Sequence, residues 1–400
     1  MAYSVPKSIP VLDVDPFAED FQRDHDAFHE RLREAGPVVF LKPYGVWAVA
    51  RYAEVHEVLR DHERFCSAAG VGLANFWHEE PWRRPSLLVE ADPPAHTRPR
   101  RITARAMSPR AIERLRPGFE RHAEELVAEV VALERFDGVV DVAQAYLLRA
   151  FPEAFGLARG GEEKLLRYGD MAFNLFGPRN QLAQQAMAAG MPFHEWFSEQ
   201  CKRDSLAADG MGAAVYAAVD RGEATEDEAG LLVRSLISAG LDSTIDAIAW
   251  TLYLLADRPG EWALLRENPE LARSAFEEAL RYSTPIQHFF RTTIREVELA
   301  GTVVPAEQKV MCFLGAANRD PRQFDDPDRF DIRRRSATHL AFGTGVHACV
   351  GVAIARLEAE CLLTALVRQV DTLELVGPPS LRRHNILRSL AALPLRVTTG

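Results

Sequence analysis

The sequence predicts a mainly α-helical fold with a smaller β region, on three observations. Helical periodicity runs through most of the chain, strand-like alternation is confined to two patches, and no repeat or linker breaks the pattern. The first patch lies between Pro37 and Arg51, where Val38-Val39-Phe40-Leu41, Lys42-Pro43-Tyr44-Gly45 and Val46-Trp47-Ala48-Val49-Ala50 read as a β-hairpin. Apolar residues three or four apart then predict helices from Ala111 to Leu133 and from Glu162 to Phe176. The next helix is the longest. Thr225 followed by Glu228 forms a capping-box signature, and Asp257-Arg258-Pro259-Gly260 supplies the stop, giving roughly 32 residues at ~1.5 Å each. Its middle, Ser238-Ala239-Gly240-Leu241-Asp242-Ser243-Thr244, is small and polar where a core helix is usually bulky, so it marks either a close helix contact or a site. Further helices follow from Leu271 to Tyr282 and Val352 to Val370, with the second strand patch, Val297 to Phe313, between them.

The chain has 400 residues, 47% hydrophobic and 26% charged, enough for a large core, and it reads as a single domain over residues 1–400. A net charge of -10 argues against general nucleic-acid binding. Cys66, Cys201, Cys312, Cys349 and Cys361 show no C-x-x-C spacing and an odd count, so neither a disulfide framework nor a zinc knuckle is expected. Met1 to Lys7 has no signal-peptide core, and no apolar run approaches the ~18 residues of a membrane span, so a cytoplasmic, unanchored protein is expected.

Phe342-Gly343-Thr344-Gly345-Val346-His347-Ala348-Cys349-Val350-Gly351 places a lone cysteine in a glycine-rich loop directly before a helix. Backbone N–H groups at a helix N-terminus stabilise a thiolate, and glycines admit a flat group close to the backbone. Those are the requirements of an axial haem thiolate. A phosphate loop is excluded because the following Lys-Ser/Thr is missing. A nucleophilic pair of His347 and Cys349 stays open, although two residues apart on a turn does not assure proton sharing.

This segment resembles the signature F-G-x-G-x-H-x-C-x-G of the cytochrome P-450 superfamily of haem-thiolate monooxygenases, at every fixed position. The resemblance continues in order along nearly the whole chain. It implies the P-450 fold, with haem b between the long central distal helix and the proximal helix after the Cys loop, and Cys349 as ligand of the iron. Phe342, Gly343 and Gly351 would complete the cofactor loop. Glu278-Ala279-Leu280-Arg281 and Pro327-Asp328-Arg329 look like the family's structural triad, Glu278, Arg281 and Arg329. Asp92-Pro93-Pro94-Ala95-His96, with Arg100, is similar to the segment whose His and Arg reach the haem propionates, and Arg291 and His347 match further propionate contacts. Ala239 and Gly240 would leave room for O2, and Asp242 and Ser243 would stand at the acid–alcohol pair that delivers protons. The family more often has threonine at the alcohol. Serine keeps the hydroxyl but loses the β-branch that restricts χ1, so more peroxide leakage is expected.

The resemblance leaves no room for a flavin or nicotinamide domain, so electrons would come from a ferredoxin and its reductase. Arg98, Arg100, Arg101, Arg105, Arg110, Arg114 and Arg116 form a run that could dock the acidic carrier. A closer likeness is to bacterial members that oxidise para-substituted benzoates, including 4-methoxybenzoate. It implies that Arg83, Ser86 and Ser235 hold the carboxylate with Arg234 and Ser238 nearby, and that Phe173, Phe176 and Phe289 flank the ring. Arg84 departs from that likeness, standing where relatives have proline. Two other readings remain in view: a peroxide-driven peroxygenase, which would usually carry another polar pair than Asp242-Ser243, and a non-catalytic haem-binding sensor.

Overall fold

A computed structural model describes residues 9–336 and 338–399, so the Met1 to Lys7 segment lies outside the described residues. The predicted hairpin forms as Val39–Leu41 against Val46–Val49, with Phe40 opposite Trp47 and Gly45 in the turn at φ 62°. It belongs to a six-stranded sheet in the order Val11–Leu12, Val39–Leu41, Val46–Val49, Lys309–Phe313, His288–Thr293 and Phe65–Cys66. The second patch divides. Val297–Leu299 and Thr302–Val304 close on each other as a separate hairpin, whereas Lys309–Phe313 enters the large sheet. His288–Thr293 shows no alternation because five of its six residues are buried, and a strand covered on both faces carries no period of two.

Helices supply the rest of the core. Arg116–Leu133, Glu162–Asn174, Ala272–Ser283 and Val352–Gln369 occupy the predicted segments with shifted ends, and Val352–Gln369 packs along Arg116–Leu133. No helix among the described residues is long and apolar enough to cross a membrane. All five cysteines are free.

The single long central helix predicted from Thr225 to Asp257 is corrected by the structure. The capping box at Thr225 and Glu228 is formed, but the helix stops at Gly240 and restarts at Asp242, leaving Leu241 at φ -101°, ψ -67°. Hydroxyls intrude at the break: Ser243 Oγ donates to Ala239 O and Thr244 Oγ1 to Gly240 O, each at 3.3 Å. Side chains that compete for carbonyls four residues back are a known cause of helix bending.

The triad also needs correction. Arg281 forks onto Glu278 through Nε and Nη2, both at 2.8 Å, and both side chains are wholly buried. The third cation is Arg334, whose Nε donates to Glu278 Oε1 at 3.1 Å. Arg329 contributes only its carbonyl, to Arg281 Nη2, while its 58% exposed side chain leans toward Asp331. Ser336 Oγ adds a 2.6 Å bond to Glu278, so the buried carboxylate is fully met and the segment after Pro327 is tied to the core.

Candidate active site

The break in the central helix forms one wall of an internal cavity of about 280 Å³, and the Cys349 loop forms another. The loop's conformation depends on its glycines. Gly343 and Gly345 lie at φ 65° and 71°, and a Cβ on Gly345 would press on the Arg60 backbone at 3.0 Å. Cys349 N donates to Phe342 O at 2.8 Å, and the exposed surface of Cys349 faces the cavity. Burial pushes its thiol pKa up. The N–H groups of Gly351 and Val352 at the start of the next helix, with Arg100 and Arg356, pull it down.

Arg100, Arg291 and His347 lie on the same cavity wall. Arg291 is buried, donates Nη1 to Phe290 O at 2.8 Å, and meets no carboxylate among the described residues. Arg100 likewise has no ion pair, and burial lowers the pKa of both guanidinium groups. His96 packs against His347 behind that wall, the rings tilted by 53° with centroids 4.6 Å apart; its Nε2 is buried without a partner among the described residues, and burial holds its pKa at about 4. His347 Nε2 is engaged by Asp92 at 3.0 Å, an acid otherwise held by the N–H groups of Ser67 and Ala68. A buried and a half-buried guanidinium without a counter-charge, with an orphan imidazole beside them, suit a buried anionic group, which is what haem propionates are.

Ala239, Gly240 and Ser243 line the cavity, and so does Thr244, so a β-branched hydroxyl stands beside the expected serine. Gly240 is needed for a different reason than open space: a Cβ there would strike the Phe151 ring at 2.5 Å. Asp242 does not line the cavity. Its carboxylate lies over Gly169, where any Cβ would collide with Oδ2, and burial pushes its pKa up to about 8, with Arg382 opposing and Asp170 and Asp246 reinforcing. One turn on, burial raises Asp246 to about 7; it accepts from Ser389 Oγ at 2.6 Å. Arg382 links this group to Asp170 at 2.6 Å, and Asp170 is partly exposed.

All eight residues expected around the substrate, Arg83, Ser86, Phe173, Phe176, Arg234, Ser235, Ser238 and Phe289, line the cavity. Phe176 meets Phe173 and Phe289 edge-on, with centroids 6.2 and 6.0 Å apart. Ser86 Oγ and Ser235 Oγ are 2.8 Å apart, and Ser235 also donates to Leu231 O at 2.9 Å. Arg234 has no acidic partner among the described residues and gives Nη2 to Arg84 O at 2.7 Å. Arg83, in contrast, is already paired with the buried carboxylate of Glu90. Sequence reading missed Glu90; an acid four residues after Ser86 in a segment named for its cations was the available signal. Arg84 points outward onto Asp227, pinning this loop to the start of helix Glu226–Gly240.

A thiol offered from a glycine-rich loop into an apolar cavity, opposite a broken helix and beside uncompensated cations, has the composition of a haem-thiolate site. Residues 164–388 match the family model described as Cytochrome P450. The chain is 51% identical over 391 residues to cytochrome p450 CYP199A2 of Rhodopseudomonas palustris, covering 98% of this chain and 95% of the relative. It belongs to the cytochrome P450 family and is a haem-thiolate monooxygenase. Among solved structures, epothilone D-bound cytochrome P450epoK superimposes with TM-score 0.85 at 27% identity, covering 97% of this chain and 100% of the other. Cytochrome P450 CREJ, in complex with (4-ethylphenyl) dihydrogen phosphate, gives TM-score 0.82 at 26% identity, covering 92% and 96%. Ligands this different on one fold leave the substrate to be read from the pocket.

Proposed function

We propose that the protein is a cytoplasmic monooxygenase that inserts one oxygen atom of O2 into para-substituted benzoates, demethylating a 4-methoxy group or hydroxylating a para-alkyl group. The observation that carries this reading is Arg234, a guanidinium on the cavity wall without an acidic partner among the described residues, beside the hydroxyls of Ser86, Ser235 and Ser238. A carboxylate placed there gains charge-assisted hydrogen bonds, while Phe173, Phe176 and Phe289 exclude water along the ring. Anchored so, the substrate presents its para substituent toward the Cys349 end.

When bound, the haem supplies oxygen activation; Cys349 would ligate its iron and Arg100, Arg291, His96 and His347 would hold its propionates. The chain's own part is positioning and proton supply. Asp242 keeps a proton on its carboxyl at neutral pH, and the Ser243 and Thr244 hydroxyls stand on the cavity side of the same turn. The likeness to benzoate-oxidising members supports the substrate class.

The test is a spectral titration of the ferric protein. 4-Methoxybenzoate converts it from low to high spin and methoxybenzene does not; equal responses exclude the carboxylate anchor. Arg234→Gln should weaken 4-methoxybenzoate about thirtyfold, as loss of hydrogen bonds from a charged donor costs about 2 kcal/mol, and leave the neutral 4-methoxybenzamide nearly unchanged. Titration of the variant with both ligands checks this.

A ferredoxin partner follows from the same reading. In the expected basic run, Arg98, Arg105 and Arg116 are taken up by Glu228, Glu223 and Glu113, and Arg100 faces the cavity. Arg101, Arg110 and Arg114 are exposed and without ion pairs among the described residues. The short helix Pro109–Glu113 packs against Val352–Gln369, the helix that follows Cys349, so Arg110 and Arg114 lie on the cysteine side. Replacing all three by Gln should slow reduction by an acidic ferredoxin about tenfold at low ionic strength, converging with the parent at high salt. Stopped-flow reduction across a salt series reads this directly.

A further inference from the structure

Glu90 lies behind the acid-binding end of the cavity, and its side chain is 2% exposed. Its Oε2 accepts from Arg83 Nη1 at 2.8 Å and from Ser86 N at 2.6 Å, and Oε1 accepts from Arg83 Nη2 at 3.3 Å. The Arg83 side chain is itself only 13% exposed, so this is a forked, largely dry ion pair. Arg234 is the other guanidinium here and has no acidic partner among the described residues. The end of the cavity therefore carries two cations and one built-in anion, leaving one net positive charge.

Glu90 also orders the hydroxyl that meets the ligand. With Ser86 N held by the carboxylate, Ser86 Oγ accepts from the N–H groups of Leu88 and Val89, each at 3.2 Å, and its remaining proton is directed to Ser235 or to an incoming acid. Ser235 gives its own proton to Leu231 O. Polar groups inside the site are thus already satisfied, except for one cation.

We infer that Glu90 sets the charge class of the acid this pocket accepts, matching it to a monoanion and rejecting dianions such as aryl phosphates that the same two arginines would otherwise attract. The inference rests on the aromatic-acid reading of this site. A second negative charge would be buried opposite Glu90 with no free cation, and an unpaired buried charge is strongly disfavoured. Glu90 is a positioning and specificity residue: it acts through Arg83 and Ser86.

The test compares spin-state titrations with three para-methoxy ligands: 4-methoxybenzoate, 4-methoxybenzenesulfonate and 4-methoxyphenyl phosphate, at about pH 8 where the phosphate is a dianion. Both ligands end in a tetrahedral three-oxygen head and differ in charge, and the phosphate's extra ester oxygen is the same in parent and variant, so the change in their ratio of dissociation constants between the two proteins isolates the electrostatic part. Glu90→Gln should move that ratio about tenfold toward the phosphate, and Glu90→Asp, which keeps the charge, should stay within about threefold of the parent. An unchanged ratio in Glu90→Gln overturns the inference. Should that variant fail to take up haem, Arg234→Gln serves instead, because it leaves the Arg83–Glu90 pair intact and the end neutral. It should lose about thirtyfold of the preference for 4-methoxybenzoate over 4-methoxybenzamide, and retention of that preference overturns the inference as well. A parent protein that ignores 4-methoxybenzoate overturns the substrate reading itself. A normal benzoate response with an unmoved phosphate-to-sulfonate ratio overturns only the role of Glu90.

Discussion

Asp242→Asn should lower kcat about a hundredfold while KM for the aromatic acid stays within about twofold, since the proton-supplying role proposed for Asp242 is that of a general acid, worth ~10²–10⁴, and Asp242 does not line the cavity. The split follows from where the carboxyl lies. Asp242 is 6% exposed, sits against Gly169 rather than on the cavity wall, and is separated from the substrate by the Ser243 and Thr244 side of its turn. Burial raises it to about 8, so near pH 7 it holds a proton that asparagine cannot exchange. The parent's kcat should fall above about pH 8 as that proton is lost, and the variant's should be flat there. The same group has an opposite effect on stability. An acid whose pKa is raised by folding binds more protons folded than unfolded, so stability falls as pH climbs from the unfolded value of 3.8 toward 8. Asparagine removes that cost, and the variant should be more stable than the parent by roughly 2–4 kcal/mol at neutral pH. Steady-state kinetics and urea unfolding on one preparation check both halves. A variant that is slower and also less stable would mean that Asp242 serves the packing rather than the protons.

Features that depend on residues close in sequence were legible. The Cys349 loop needs glycines at positive φ and a helix start immediately after the sulfur, and all of these lie within ten residues. The Thr225–Glu228 cap and the Glu278–Arg281 fork are local in the same sense. What the chain folds together from afar was not readable. Arg334 displaces Arg329 in the triad because the turn after Pro327 brings the later arginine to Glu278, and either cation satisfies the spacing. The interruption at Leu241 was hidden because Ser, Ala, Gly and Thr all tolerate a helix; only the hydroxyl bonds to carbonyls 239 and 240 mark it. Arg83 and Glu90 sit seven residues apart in a loop, where no periodicity predicts a contact. The pair changes the chemistry of the site, since Arg83 was expected to meet the substrate's carboxylate and instead meets the protein's own.

His288→Phe should stabilise the protein relative to the parent by an amount that grows as pH falls, reaching about 3 kcal/mol near pH 4 and vanishing above about pH 7, apart from a constant packing offset. His288 is buried among Phe17, Phe290 and Phe313, and neither ring nitrogen has a hydrogen-bond partner. Burial holds its pKa at about 3, and that of nearby His29 at about 3 as well. The unfolded chain takes up a proton below the ordinary value of 6.5, the folded chain does not, and stability contributed by the neutral ring is lost as pH falls through that window. His25 and His384 are displaced in the same direction, again by burial first. Asp242 and Asp246 slope the other way, gaining stability over much of the same range, so the parent's curve is shallower than either set alone. Single variants separate what the parent's curve hides. The carboxylates held low by ion pairs, Asp26 and Glu277 at about 2, lose their contribution only at more acid pH, below their unfolded values of 3.8 and 4.5. Acid sensitivity between about pH 6.5 and 4.5 is therefore assigned to imidazoles. His288 begins the strand that carries Phe289 and Arg291 to the cavity, so protonating it loosens the wall at which both substrate and propionates are to be held.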